Sequence, residues 1–226
     1  SLGEETLIKE IASSYNYFDV LEDGRYVFLS GNQLLVYDLS TDESNSISLA
    51  SSYGFIQTSG NTIYSQTSTY SSENQIYLYS INSIDLSDLS NIVETQEVLL
   101  EPNVSLQQEF SVEAGNILYN TYDNNNSIYQ LFKKEGDATP ELMHTFTSGN
   151  TNYLWGLSPV LVNNRVYLVQ TYNSVYELSN GALVQQPQLL NEGQYIDLDN
   201  DFINVFNGKV YAKGLVNNSS EGYQVY

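Results

Sequence analysis

Five times along the chain a turn led by Gly or Asn opens a short strand that ends in an aliphatic residue followed by an aromatic one. The copies are Gly24-Arg25-Tyr26-Val27-Phe28, Gly60-Asn61-Thr62-Ile63-Tyr64, Gly115-Asn116-Ile117-Leu118-Tyr119, Asn163-Asn164-Arg165-Val166-Tyr167 and Asn207-Gly208-Lys209-Val210-Tyr211. Their closing aromatics, Phe28, Tyr64, Tyr119, Tyr167 and Tyr211, are 36, 55, 48 and 44 residues apart. A recurrence of roughly 40 to 50 residues is the length of one four-stranded blade, whose strands bury both faces only by stacking on neighbouring copies. Nowhere does the apolar pattern settle into the 3.6-residue period of a helical solenoid.

Partner strands follow each marker: Leu34–Tyr37, Ile76–Tyr79, Ile128–Leu131, Val175–Leu178 and Tyr223–Tyr226. Alternation within them places Leu35, Tyr77, Tyr129 and Tyr176 on one sheet face, with Tyr223 their equivalent in the last copy. Incoming strands precede each turn, at Tyr17–Leu21, Gly54–Thr58, Phe110–Glu113, Leu157–Val162 and Phe202–Phe206, and outgoing strands complete the first four units. Thr69–Asn74 and Asp123–Ser127 read as polar loops, and Ser83–Asn91 as a loop with one helical turn that lengthens the second unit. Val27, Ile63, Leu118, Val166 and Val210 are expected to share one equivalent layer between blades.

The expected fold is all-β: a single domain over residues 1–226, folded as a five-bladed propeller of four-stranded antiparallel blades. The last unit lacks an outgoing strand, and Thr6-Leu7-Ile8-Lys9-Glu10-Ile11 has no other place in the repeat. Laying it beside Tyr223–Tyr226 completes the last blade and closes the ring, which removes a free sheet edge. The pattern, clearest in Leu35-Val36-Tyr37-Asp38-Leu39-Ser40, resembles bacterial and archaeal β-propeller repeat proteins with quinoprotein-like or TolB-like blades. The resemblance spans the chain and implies an architecture without an activity; the chain lacks the Trp-Asp pair, the Gly-Gly doublet and the Trp-docking pattern of better-marked propeller families.

Charge narrows the partners. With 27 acidic residues against 7 Lys and Arg, the net charge of −20 repels phosphate backbones and anionic headgroups, which argues against nucleic acid and membrane insertion. The absence of cysteine removes disulfides and thiolate chemistry, and a single histidine, His144, removes the usual His-rich metal sites. No cofactor is expected. Low lysine, no cysteine and abundant Ser, Asn, Thr and Tyr suit a secreted, periplasmic or cell-surface protein.

Each candidate site has a structural alternative beside it. Asp197-Leu198-Asp199-Asn200-Asp201 spaces carboxylates like the start of a calcium loop, but the sixth and twelfth places hold Phe202 and Gly208 instead of Gly and Glu. Asp197, Asp199 and Asp201 are therefore read first as an acidic turn leading into a strand. Asp19, Glu113 and Asp201 lie on or beside innermost strands, where a glycoside hydrolase would need a close pair of acids; two units offer no acid, and this reading ranks last. His144 alternates with Leu142 and Phe146 on one face of an outer strand, and no Gly-x-Ser-x-Gly elbow accompanies it.

Gly149–Trp155 is the most ligand-like segment. Asn150, Asn152, Tyr153 and Trp155 combine amide donors with two large rings ahead of an innermost strand, suited to anchoring a protein partner or stacking on a glycan. The alternative is that Trp155 fills the wedge between two blades. No catalytic set emerges, so the expected function is a non-enzymatic recognition or scaffold domain that binds a protein partner through loops at one end. A glycan-binding, lectin-like propeller is the alternative; against it stands the differing length of the inter-strand loops.

Overall fold

The computed structural model describes residues 15, 17–50, 53–72, 75–146, 157–170, 174–187, 190–191, 194–206, 209–216 and 224–225; of residues 108, 109 and those beyond 187 only the backbone is described. Among these residues the chain is all-β and forms four uninterrupted four-stranded antiparallel sheets in sequence order. Sheet I contains β1 (Tyr17–Val20), β2 (Tyr26–Ser30), β3 (Gln33–Asp38) and β4 (Glu43–Ser48). Sheet II contains β5 (Ile56–Ser59), β6 (Thr62–Ser71), β7 (Ile76–Asp85) and β8 (Val93–Leu99). Sheet III contains β9 (Val104–Glu113), β10 (Asn116–Asp123), β11 (Ile128–Lys134) and β12 (Glu141–Phe146). Sheet IV contains β13 (Leu157–Val162), β14 (Arg165–Gln170), β15 (Ser174–Ser179) and β16 (Ala182–Gln185). A further group joins β17 (Leu190–Asn191), β18 (Gln194–Phe206), β19 (Lys209–Val216) and β20 (Gln224–Val225).

The marker strands are β2, β6, β10, β14 and β19, and each pairs with the strand before it. Val27 pairs with Asp19, Ile63 with Thr58, Leu118 with Ser111, Val166 with Leu161 and Val210 with Val205. The Gly or Asn that leads each of the first four units has a backbone reason. Gly60 and Gly115 take φ of 63° and 78°, and the Asn163-Asn164 turn reaches 50° and 60°, in the left-handed region open to Gly and tolerated by Asn.

Sheets I to IV pack face to face through three apolar clusters. Val27, Leu29, Leu34 and Val36 of sheet I meet Ile56, Ile63 and Ile84 of sheet II. The opposite face of sheet II sends Tyr64 and Ile81 against Phe110, Val112, Ile117 and Tyr119 of sheet III. Leu118, Tyr129 and Leu131 then meet Leu161, Val166 and Leu168 of sheet IV. The first strands of sheets I to IV contact one another in turn, β1 to β5, β5 to β9 and β9 to β13, and β13 contacts β18 of the last group, which makes the fold propeller-like with these strands innermost.

This packing corrects the expected common layer. The four described aliphatic markers are buried, but Val27 and Leu118 face the following sheet whereas Ile63 and Val166 face the preceding one. Leu35, Tyr77, Tyr129 and Tyr176 do not share a face either. Tyr129 packs with Leu118 against the following sheet and Tyr176 packs with Leu168 against the preceding one, while Leu35 alternates with the buried Leu34 and so turns away from sheet II. Hairpin length departs from the expectation too: β6 and β7 pair over Thr62–Ser71 and Ile76–Asp85, far past the expected short strands. Ser83–Asp85 is accordingly strand, the connection from 86 to 92 is a series of turns without a helix, and Thr69–Ser71 is strand in place of loop.

The segment Thr6–Ile11 and the residue Tyr223 lie outside the described residues, and among the described ones no ladder joins sheet I to the last group.

Candidate functional site

The innermost strands run the same way, so the molecule has an entry end, where they begin, and an exit end, where they turn back. At the exit end the turns are tied in sequence. Glu22 donates its N–H to the Gly60 carbonyl at 3.0 Å, and Gly115 donates to Ser59 Oγ at 3.2 Å. The Glu113 carboxylate accepts the N–H groups of Asn163 and Asn164 at 2.5 and 2.8 Å. Between the strands themselves, Asp19 accepts the N–H of Thr58 at 3.0 Å, Gln57 that of Val112 at 2.8 Å and Ser111 that of Leu161 at 2.9 Å. An innermost strand is a sheet edge whose free N–H groups need acceptors; here the preceding sheet supplies them.

Those contacts place two of the three carboxylates considered for hydrolysis. Asp19 and Glu113 hold backbone N–H groups of the next sheet. Asp201 lies on β18, between the pairs Asp199 with Lys213 and Ile203 with Ala212, and its side chain is not described. Asp197 and Asp199 pair through their backbones with Leu215 and Lys213, so the run of acids is strand with a register shift and not the expected turn. A turn signal misled because alternating Asp fits a two-residue strand period as well as a loop. Among the described residues no group of three or more His, Asp or Glu is placed to hold a metal ion.

Exit-end carboxylates also close local turns. In the triplets Asp38-Leu39-Ser40, Asp85-Leu86-Ser87 and Asp88-Leu89-Ser90, each Asp accepts the N–H of the Ser two residues on, and the first and third also accept its hydroxyl. These hydrogen bonds hold the three carboxyls below the usual Asp range. Arg25, half wrapped by Asp23, reaches the Leu86 carbonyl of sheet II at 2.7 Å, and Arg165 pairs with Glu177 at 2.6 Å while lying over the Tyr167 ring.

His144 sits on the outer strand β12, as its sequence suggests, with Nδ1 3.2 Å from the Gly181 carbonyl and its ring edge-on to Phe146. Leu142 does not share its face. His144 pairs with Leu131 and Leu142 with Phe132, so Met143 is the extra residue of a bulge that flips the alternation.

The entry end is different in character. Tyr17, Phe55 and Phe110, from the starts or inner parts of three consecutive innermost segments, form an arc of edge-to-face rings at 6.5 and 5.4 Å. Phe18 stacks on Phe28 and remains 62% exposed. Asn150, Asn152, Tyr153 and Trp155 lie outside the described residues. The residues that flank their segment, Phe146 and Leu157, are buried at the entry end in the cluster between sheets III and IV.

Sequence reading overlooked a second entry-end feature. The hairpins β6–β7 and β10–β11 are built alike: Tyr70 pairs with Tyr77 and Tyr122 with Tyr129, one pair below tips closed by four residues, with Gln75 and Ser127 both at φ 56°. The signal was legible as Tyr, five residues and Ile-Tyr at 70–77 and again at 122–129.

No protein-family model matches the chain, and no curated protein matches it in sequence. Among solved structures it is similar to Porphyromonas gingivalis dipeptidyl peptidase 4, with a TM-score of 0.52 at 10% identity. The match covers 97% of this chain but 38% of that one. At that identity the likeness concerns the fold.

Proposed function

We propose that this chain is a non-enzymatic recognition or scaffold domain that binds a protein partner at its entry end, as part of a secreted, periplasmic or cell-surface protein. The reading takes the whole chain as one five-bladed propeller, with β18, β19 and β20 as the first three strands of the last blade and Thr6–Ile11 as its fourth. The observation that carries it is the separation of chemistry between the ends. Asp19 and Glu113 are engaged in inter-sheet ties and Asp38, Asp85 and Asp88 in turn closure, whereas exposed aromatic rings, the currency of interface hot spots, gather at the entry end.

In this reading Trp155 and Tyr153 are anchors, Asn150 and Asn152 supply hydrogen bonds, and the strong negative field favours a basic partner and speeds its arrival. A photo-crosslinking residue placed at Asn152 should capture the partner, while one placed at Ser87 on the exit end should not. Trp155→Ala, shown folded by circular dichroism, should weaken binding by about 2 kcal/mol. Capture from the exit end alone, or partner affinity unchanged in the folded variant, refutes the assignment. Turnover of chromogenic dipeptide or glycoside substrates that persists through purification refutes the non-enzymatic part.

A further inference from the structure

We propose that Tyr70 and Tyr77, at the tip of the β6–β7 hairpin, form a stacking platform for a neutral saccharide. Their rings are 5.2 Å apart and inclined by 57°, and the residues are 53% and 55% exposed. The matching hairpin of sheet III shows what such a pair does when it serves packing: Tyr122 and Tyr129 lie in the cluster between sheets III and IV, and Tyr129 is 8% exposed. Sheet II has the same loop length, strand register and tyrosine pair, yet its two rings stay exposed outside the apolar clusters.

Their surroundings define the ligand class. The outer half of the hairpin, residues 68–77, carries Ser68, Thr69, Ser71, Ser72 and Gln75, with Glu73 its sole charged residue in sequence; alternation puts Ser68 on the face of the two rings and Thr69 and Ser71 on the opposite one. Aromatic faces stack on the C–H faces of pyranose rings, and hydroxyl and amide side chains exchange hydrogen bonds with sugar hydroxyls. A sulfated or uronic saccharide would need cations that this hairpin lacks, and it would meet the repulsion of a molecule with net charge −20. The site belongs to sheet II and is independent of the partner-binding role given to Trp155.

The test is calorimetric titration of the full chain with neutral hexasaccharides of gluco, manno, xylo and galacto configuration, and with a hexauronate as the anionic probe. At least one neutral probe should bind saturably and the hexauronate should not. Tyr70→Ala and Tyr77→Ala should each weaken binding by roughly tenfold or more, while Tyr70→Phe, which keeps the stacking face, and Trp155→Ala should preserve it. Silence of the whole neutral panel up to about 10 mM overturns the proposal, since a weaker site would not be a specific one. So does equal binding of the hexauronate, or binding that survives both alanine variants.

Discussion

Ile63 has no exposed surface and shares a cluster with its cross-strand partner Ile84 and with Val27 of sheet I, so truncating it removes apolar contact within sheet II and with sheet I. Ile63→Ala should cost about 2 to 5 kcal/mol, through lost transfer energy and the cavity left behind, as read from urea unfolding. A loss near the ordinary surface value would mean that sheets I and II are not packed through this residue. Titratable residues act in the other direction, through pH. Burial raises the Glu97 carboxyl, but hydrogen bonds from the Lys134 ammonium and the Ser83 hydroxyl, with the charge of Lys134, outweigh it and leave the group below its ordinary value. The Asp38, Asp85 and Asp88 carboxyls are lowered too. A carboxyl lowered in the folded state contributes stability that is complete above its unfolded value and disappears as pH falls through the folded one. The thermal midpoint should therefore fall as pH drops below about 4, and Glu97→Gln should make that fall shallower. A midpoint that rises towards pH 3 would contradict this assignment. At the alkaline side, burial pushes the Tyr119 hydroxyl up to about 12, so stability should decline once pH passes its ordinary value near 10.

The hairpins and inner strands are where local sequence and neighbouring sheets meet. Turn residues were legible because a left-handed backbone angle admits few residue types, and Gly60, Gly115 and Asn164 take such angles. Strand length was not legible in β6 and β7, because Ser, Thr and Asn serve equally well in loops and on the exposed half of a projecting hairpin. Nor did spacing reveal that Glu113 would cap the Asn163-Asn164 turn, fifty residues away in sequence. Glu113→Gln keeps one carbonyl acceptor and loses the other together with the charge, so it should cost about 1 kcal/mol and speed hydrogen exchange at the Asn163 and Asn164 amides. Exchange at those two amides equal to the parent's would show that the carboxylate is not what ties sheets III and IV at this end.

At the scale of the molecule, the order of sheets and the contacts between successive innermost strands follow the repeat unit by unit. Sheets II and III use both faces in packing, whereas the face of sheet I turned away from sheet II carries Phe18 stacked on Phe28 with Phe18 largely exposed. The proposed ring would bring the last blade to that face and Thr6–Ile11 to that blade's outer edge. Deleting residues 1–12 should then lower stability by several kcal/mol and promote aggregation through the uncovered edge. An unchanged thermal midpoint and solubility in the truncated chain would refute closure by this segment.

The sequence by itself determined that the chain is built of short strands in repeated units, and where most turns fall, because these depend on residues adjacent in the chain. It did not determine which face of each sheet meets which neighbour. In a sheet with one wet face, alternation of polar and apolar residues marks the inside; in sheets II and III both faces are dry, so Ile63 and Tyr64, or Leu118 and Tyr119, look alike to the pattern. A one-residue change of register exchanges those faces without changing the motif. Only the stacked sheets, by pairing Ile63 with Val27 on one side and Tyr64 with Ile117 on the other, decided between them.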